Sequence, residues 1–143
     1  MENKRVIYTQ ENGVAAVIVP APGATLEQVL KAVPAGKSHE VVDVADIPAD
    51  RTFRNAWIHD LTEAPQKIGH NMDKAKEISH DKRRAKRAAD FAPLDVEATI
   101  PARAAQAEAA RQVIRDKDAA AQLDIDAAGT VDELKAILER EGY

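Results

Sequence analysis

The chain has 143 residues, a formal net charge of -4, no cysteine, and an apolar content of 45% to which aromatic residues contribute little, at 3% of the chain. Without cysteine there is no disulfide, thiolate nucleophile or cysteine-ligated zinc, and a net acidic chain is a poor match for sequence-independent binding to nucleic-acid phosphates. No 18-residue apolar run or signal-peptide core is present, so the expectation is a soluble protein made in the cytoplasm, without a membrane segment.

Arg5 to Gln10 (RVIYTQ) and Val14 to Pro20 (VAAVIVP) are rich in β-branched residues and flank Glu11-Asn12-Gly13. Asn-Gly between such runs predicts an antiparallel hairpin. After the breaker Pro20-Ala21-Pro22-Gly23, Thr25 and Gln28 have the spacing of a capping box. Leu26, Val29, Leu30 and Val33 then form one apolar stripe, and Pro34 to Gly36 should end that helix. Glu40 to Val44 reads as a third strand. Arg51 to Asp60, with Phe53 and the only tryptophan, Trp57, should pack across the sheet and end in a short fourth strand.

Residues 61–70 contain Pro65 and Gly69, lack periodicity and read as a linker between a domain over 1–60 and a helical region over 71–143. Asn71 is a plausible N-cap, after which Met72, Ala75, Ile78 and Ala85 mark a weak apolar stripe. Pro93 should kink or break this helix near Phe91 to Leu94. Pro101 suits the first turn of another helix, from Ala102 to about Arg115. Asp116 to Asp126 is ambiguous, with Asp124 and Asp126 read as residues that stop one helix and cap the next. The last helix is marked by Thr130 and Glu133 as a capping box, by Val131, Leu134, Ile137 and Leu138 as its apolar face, and by Gly142 beyond its end.

The expected fold is therefore α+β: a small N-terminal antiparallel sheet with one packed helix, followed by an all-α, alanine-rich part that forms a helical hairpin or bundle. About a fifth of the chain is alanine, which favours helix but buries little area per residue, so the core should be thin. Small residues also allow close helix approach, which suits self-association, a trimer included.

No catalytic, cofactor or metal constellation emerges. Ala35-Gly36-Lys37-Ser38 superficially looks like a phosphate-binding loop, but Lys31 stands where the first glycine belongs and a helix precedes it where a strand should. His39, His59, His70 and His80 share no helical ligand spacing, and the abundant carboxylates form no motif. Lys82, Arg83, Arg84, Lys86 and Arg87 are the sharpest charge feature. Six consecutive helical positions point around the axis, which favours a solvated surface over a basic face; an acidic protein partner and, less so, nucleic acid are the alternatives. Phe53 and Trp57 read as the anchor of the N-terminal core, with contact to a partner as the alternative.

Several segments are similar to a group of small proteins encoded beside tail and tail-fibre genes of tailed bacteriophages. They are RVIY (5–8), VIVPAPGATLEQVLKAVPAG (17–36) and above all DRTFRNAW (50–57), then MDKAK (72–76), LDVE (94–97), IRD (114–116) and TVDELKAI (130–137). Pro93 and Pro101 depart from the pattern, which usually has a longer helical stretch there. The resemblance implies a virion or tail accessory protein with other phage structural proteins as partners, located in the particle after synthesis in the host cytoplasm. A tail-assembly chaperone is the alternative, and a nucleic-acid-binding regulator a weaker one. The resemblance implies no catalytic residue.

Overall fold

In the computed structural model, which describes residues 1–60 and 68–143, the chain divides into two compact units, Met1–Asn71 and Met72–Tyr143. The first is built on the predicted hairpin. Strands β1 (Lys4–Thr9) and β2 (Ala15–Ile18) pair antiparallel, and Gly13, at φ 79°, supplies the left-handed residue that the turn needs. Asn12 Oδ1 accepts from the Val14 N–H at 3.0 Å and fixes the turn.

Strand β3 (His39–Asp43) joins β1 on its other side, also antiparallel, giving the order β2-β1-β3. Alternation along β1 places Ile7 opposite Val17 and Glu40 on one face, and Val6 opposite Ile18 and Val41 on the other. Both Val6 and Ile7 are fully buried, so the central strand is covered on both faces.

Between β2 and β3 lies helix α1 (Leu26–Leu30), opened by the predicted capping box: the Gln28 N–H donates to Thr25 Oγ1 and the Thr25 N–H to Gln28 Oε1. It is only five residues long, and of its apolar stripe Val29 alone is buried while Leu26 is exposed.

Beyond β3 the chain passes through short 3-10 turns at Val44–Asp46 and Arg54–Ala56 into strand β4 (Trp57–His59). This strand pairs antiparallel with β5 (Ile68–His70), with Ile58 opposite Gly69. The stretch read as linker therefore ends in a strand, and its remainder, 61–67, lies outside the described residues. Glycine was the misleading signal. A Cβ on Gly69 would lie 3.3 Å from Ile58 Cγ1, so here glycine serves close strand approach rather than chain flexibility.

The second unit consists of α2 (Met72–Glu97), α3 (Ala104–Ala127) and α4 (Val131–Glu141). Two expectations are corrected. Helix α2 runs through Pro93, so of the expected kink or break the break does not occur. Ala89, whose carbonyl loses its donor, and Pro93 are both exposed, so water can take the orphaned acceptor, and the helix ends one turn later in any case. Pro101 stands in the turn between helices, and α3 starts at Ala104 and continues across the ambiguous Asp116 to Asp126 stretch.

Helices α2 and α3 form an antiparallel hairpin, with α4 packed on both. Cross-links show the register: His80 meets Asp126, Arg83 and Arg87 meet Asp118, Arg115 lies over the Phe91 ring, and Arg111 meets Asp95. The inward seam of α3 is Ala107, Arg111, Ile114, Asp118, Ala121 and Ile125, spaced alternately by four and three residues. Leu134, Ile137 and Leu138 of α4 contribute the larger apolar side chains. Gly142 at φ 72° closes α4, and the Tyr143 N–H reaches back to the Leu138 carbonyl.

No described helix is long and apolar enough to cross a membrane.

Candidate protein-contact surfaces

Phe53 and Trp57 are interior residues, each 1% exposed. They anchor the first unit under the sheet face that carries Ala15, Ile7 and Glu40. Arg54 fastens this arrangement: its guanidinium stacks 4.6 Å from the Trp57 ring centroid and donates to the Ala15 carbonyl at 2.8 Å. Burial, and secondarily the charge of Arg51, lower its pKa from the usual guanidinium value. His59 Nε2 lies 3.0 Å from Glu40 Oε2, tying β4 to β3. Trp57 Nε1 and His59 Nδ1 are buried without a partner among the described residues, at a cost of about 1–3 kcal/mol each. The area of both aromatic side chains is thus occupied inside the unit, which leaves no aromatic surface at Phe53 or Trp57 for a partner to cover.

The basic run lies on α2, and its members have different environments. Arg83 is 4% exposed and donates through Nη1 to both oxygens of Asp118 at 2.7 Å. Arg87 adds a second guanidinium to the same carboxylate at 2.9 Å. Arg84 pairs with Asp81 and Lys86 with Asp90 along the helix, while Lys82 is exposed. Carboxylates therefore hold four of the five cations, and one of those four is core. Sequence reading missed this because Asp118 is distant in the chain and sits in a stretch without apolar periodicity.

The network continues along the hairpin. Arg83 Nε approaches His80 Nδ1 at a long 3.4 Å, and His80 Nε2 faces Asp126 Oδ1 at 2.8 Å, which fits the neutral Nε2–H tautomer. Asp126 thus belongs to the last turn of α3 and does not cap α4; its backbone carbonyl also accepts from Lys76 Nζ. Asp124 likewise pairs with Arg140 of α4 at 2.6 Å. The N-cap of α4 is Thr130, and Glu133 reaches past it to the Gly129 N–H.

Beside the Arg83–Asp118 pair a cleft of about 240 Å³ is lined by Lys86, Arg87, Lys117, Glu141 and Tyr143 among others. Cations and carboxylates alternate around it, so it concentrates neither sign. Burial foremost, then the nearby carboxylates of Glu141 and Asp118, raise the Tyr143 phenol above its ordinary value.

Lys37 of the phosphate-loop-like segment forms a 2.8 Å ion pair with Glu11 of the hairpin turn, and Gly36 at φ 79° makes an ordinary turn. The described residues hold no group of histidine and acidic side chains arranged for a metal ion.

The most exposed large apolar side chains are Leu123 at 69%, Val96 at 65%, Val19 at 64% and Val113 at 59%, three of them on the long helices. Leu123 lies on the outer side of α3, away from the Asp118 seam, with Ala120 on the same side, whereas Val113 borders the cleft beside the Arg83–Asp118 pair.

No family model matches this chain, and neither a curated protein nor a solved structure matches it.

Proposed function

We propose that this protein is a non-catalytic structural or accessory component of a tailed-phage particle, at the tail or its fibres, that works through contacts with other phage structural proteins. The similarity of DRTFRNAW and the other segments to tail-region proteins supplies the setting. The structural observation that carries the contact role is the outer side of α3, where Leu123 is 69% exposed in a unit with few large apolar residues to spare. A helix whose inward seam includes two alanines, an arginine and an aspartate beside Ile114 and Ile125, yet whose solvent side carries a leucine, is arranged for burial against something else.

The pairing of four cations in the basic run with carboxylates favours this reading over phosphate binding, because paired guanidinium and ammonium groups have less capacity to displace counterions. A tail-assembly chaperone would use the same surface and differ in being absent from the finished particle.

Leu123→Asp tests the role of this surface. An exposed substitution should change folding stability by no more than about 0.5 kcal/mol. Particles from phage carrying it should contain much less of the protein than wild-type particles. Undiminished incorporation would remove the outer side of α3 from the contact.

A further inference from the structure

The two edges of the three-stranded sheet differ, and the hydrogen-bond parity shows how. The Val44 N–H donates to the Asn3 carbonyl, so Val42 and Glu40 direct their backbone groups at β1, while His39, Val41 and Asp43 direct theirs outward. By the same alternation, the Gln10–Val14 hydrogen bond makes Ala15 and Val17 the outward residues of β2. The Ala15 carbonyl is already taken by Arg54, and Ala15 is fully buried. The β2 edge is thus closed at Ala15.

At the β3 edge, by contrast, His39, Val41 and Asp43 are all exposed. Among the described residues, the Asp43 N–H is covered by Asp46 Oδ2 at 3.3 Å. Natural sheets usually protect such an edge with lysine, proline, a bulge or a covering segment. Among the described residues, none of these protects His39 or Val41.

We infer that the β3 edge pairs antiparallel with the β3 edge of a second copy of this chain, about a two-fold axis at Val41. The occupant follows from self-complementarity. With Val41 opposite the second copy's Val41, the two exchange backbone hydrogen bonds, and His39 of each copy stands opposite Asp43 of the other. The His39 N–H then meets an Asp43 carbonyl, whose first lone pair serves the 3-10 turn at Val44–Asp46 and whose second is left for the partner. The Asp43 carboxylate, which already pairs with Lys4 of its own chain at 2.7 Å but stays half-exposed, gains an imidazole on each side of the axis, and the two half-exposed valines cover one another at its centre. The result is a six-stranded sheet, β2-β1-β3-β3-β1-β2, with Arg54 covering Ala15 at each outer edge. An isologous pairing of this kind gives a dimer that stops growing. The inference does not depend on where in a particle the protein acts.

Sedimentation velocity on the full chain over a concentration series tests it. The wild-type chain should show a monomer–dimer equilibrium. Val41→Pro removes an N–H that the β1–β3 ladder does not use, so circular dichroism should show the monomer fold retained. The dimer, losing one hydrogen bond per copy, should weaken by about thirtyfold. His39→Asp, a surface change that keeps the test open if the proline variant misfolds, should weaken the dimer by about tenfold through like charges, and His39→Lys should tighten it. A wild-type chain that stays monomeric at every concentration would overturn the pairing, and would leave the edge to an extended segment of a different protein. So would a dimer indifferent to both Val41→Pro and His39→Asp, or one lost only on Leu123→Asp, which would put the self-contact on α3.

Discussion

Arg83 and Asp118 face each other across the α2–α3 hairpin, both oxygens of the carboxylate 2.7 Å from one guanidinium nitrogen, at positions where a helical hairpin ordinarily carries leucine or isoleucine. In a core with so many alanines this pair supplies what apolar packing does not, a single register. Sliding either helix by one turn would leave a buried charge unpaired.

Asp118→Ala should therefore destabilise the helical unit by about 3–5 kcal/mol, because it strands Arg83 in the interior and frees Arg87 as well. The paired change Arg83→Met with Asp118→Leu should recover most of that loss or exceed the parent. Urea denaturation followed by far-ultraviolet circular dichroism distinguishes these cases. A single and a double variant of equal stability would mean that the pair does not act as a unit.

Phe53→Ala should cost about 3–5 kcal/mol in the N-terminal unit, since Phe53 and Trp57 are its two largest fully buried side chains. Trp57 is the only tryptophan, so its fluorescence reports this unit alone. The emission of the variant should shift to the red as the ring loses its covering. Unchanged emission would place the ring outside the contact made by Phe53.

The helix ends make a smaller and more local prediction. Thr130→Ala should cost about 1 kcal/mol by removing the acceptor at 3.2 Å from the Glu133 N–H. Gly142→Ala should cost about 1 kcal/mol because φ 72° is strained for alanine. A thermal melt monitored at 222 nm checks both.

Two groups set the direction of pH effects. Glu108 is held below the ordinary carboxyl value of 4.5 chiefly by its hydrogen bonds from Arg115 and Arg111, so its contribution is present above that pH and lost as the pH falls through its lower folded value. Tyr143 is raised above 10.0 by burial, so its contribution is present below pH 10 and lost as the pH rises through the folded value. The stability of Glu108→Gln relative to wild type should accordingly converge in acid, and that of Tyr143→Phe in neutral solution should not depend on pH. Glu108 is fully exposed, so its effect should also fade with salt.

What could be read from the sequence was whatever local chemistry specifies. The Asn12-Gly13 turn, the Thr25–Gln28 box and the start of α4 at Thr130 each depend on residues a few positions apart, and each formed where expected. The course of α3 through Asp116 to Asp126 was hidden for the opposite reason. Its seam is regular in position but carries Arg111 and Asp118 among alanines, so hydropathy shows no stripe, and the cations that neutralise Asp118 come from another helix. The same blindness applied to the basic run, where charge alone does not reveal that Arg83 is interior. Pro93 does not break α2 because a proline rule written for helix interiors loses force on an exposed face one turn from the end.

The measurement that bears most directly on a role in the particle is quantitative mass spectrometry of purified phage, counting this protein against the major tail-tube and capsid proteins. A tail component predicts a fixed copy number that is a multiple of three or six. Absence from particles, with abundance in infected cells, would contradict a structural role and leave the chaperone reading in its place.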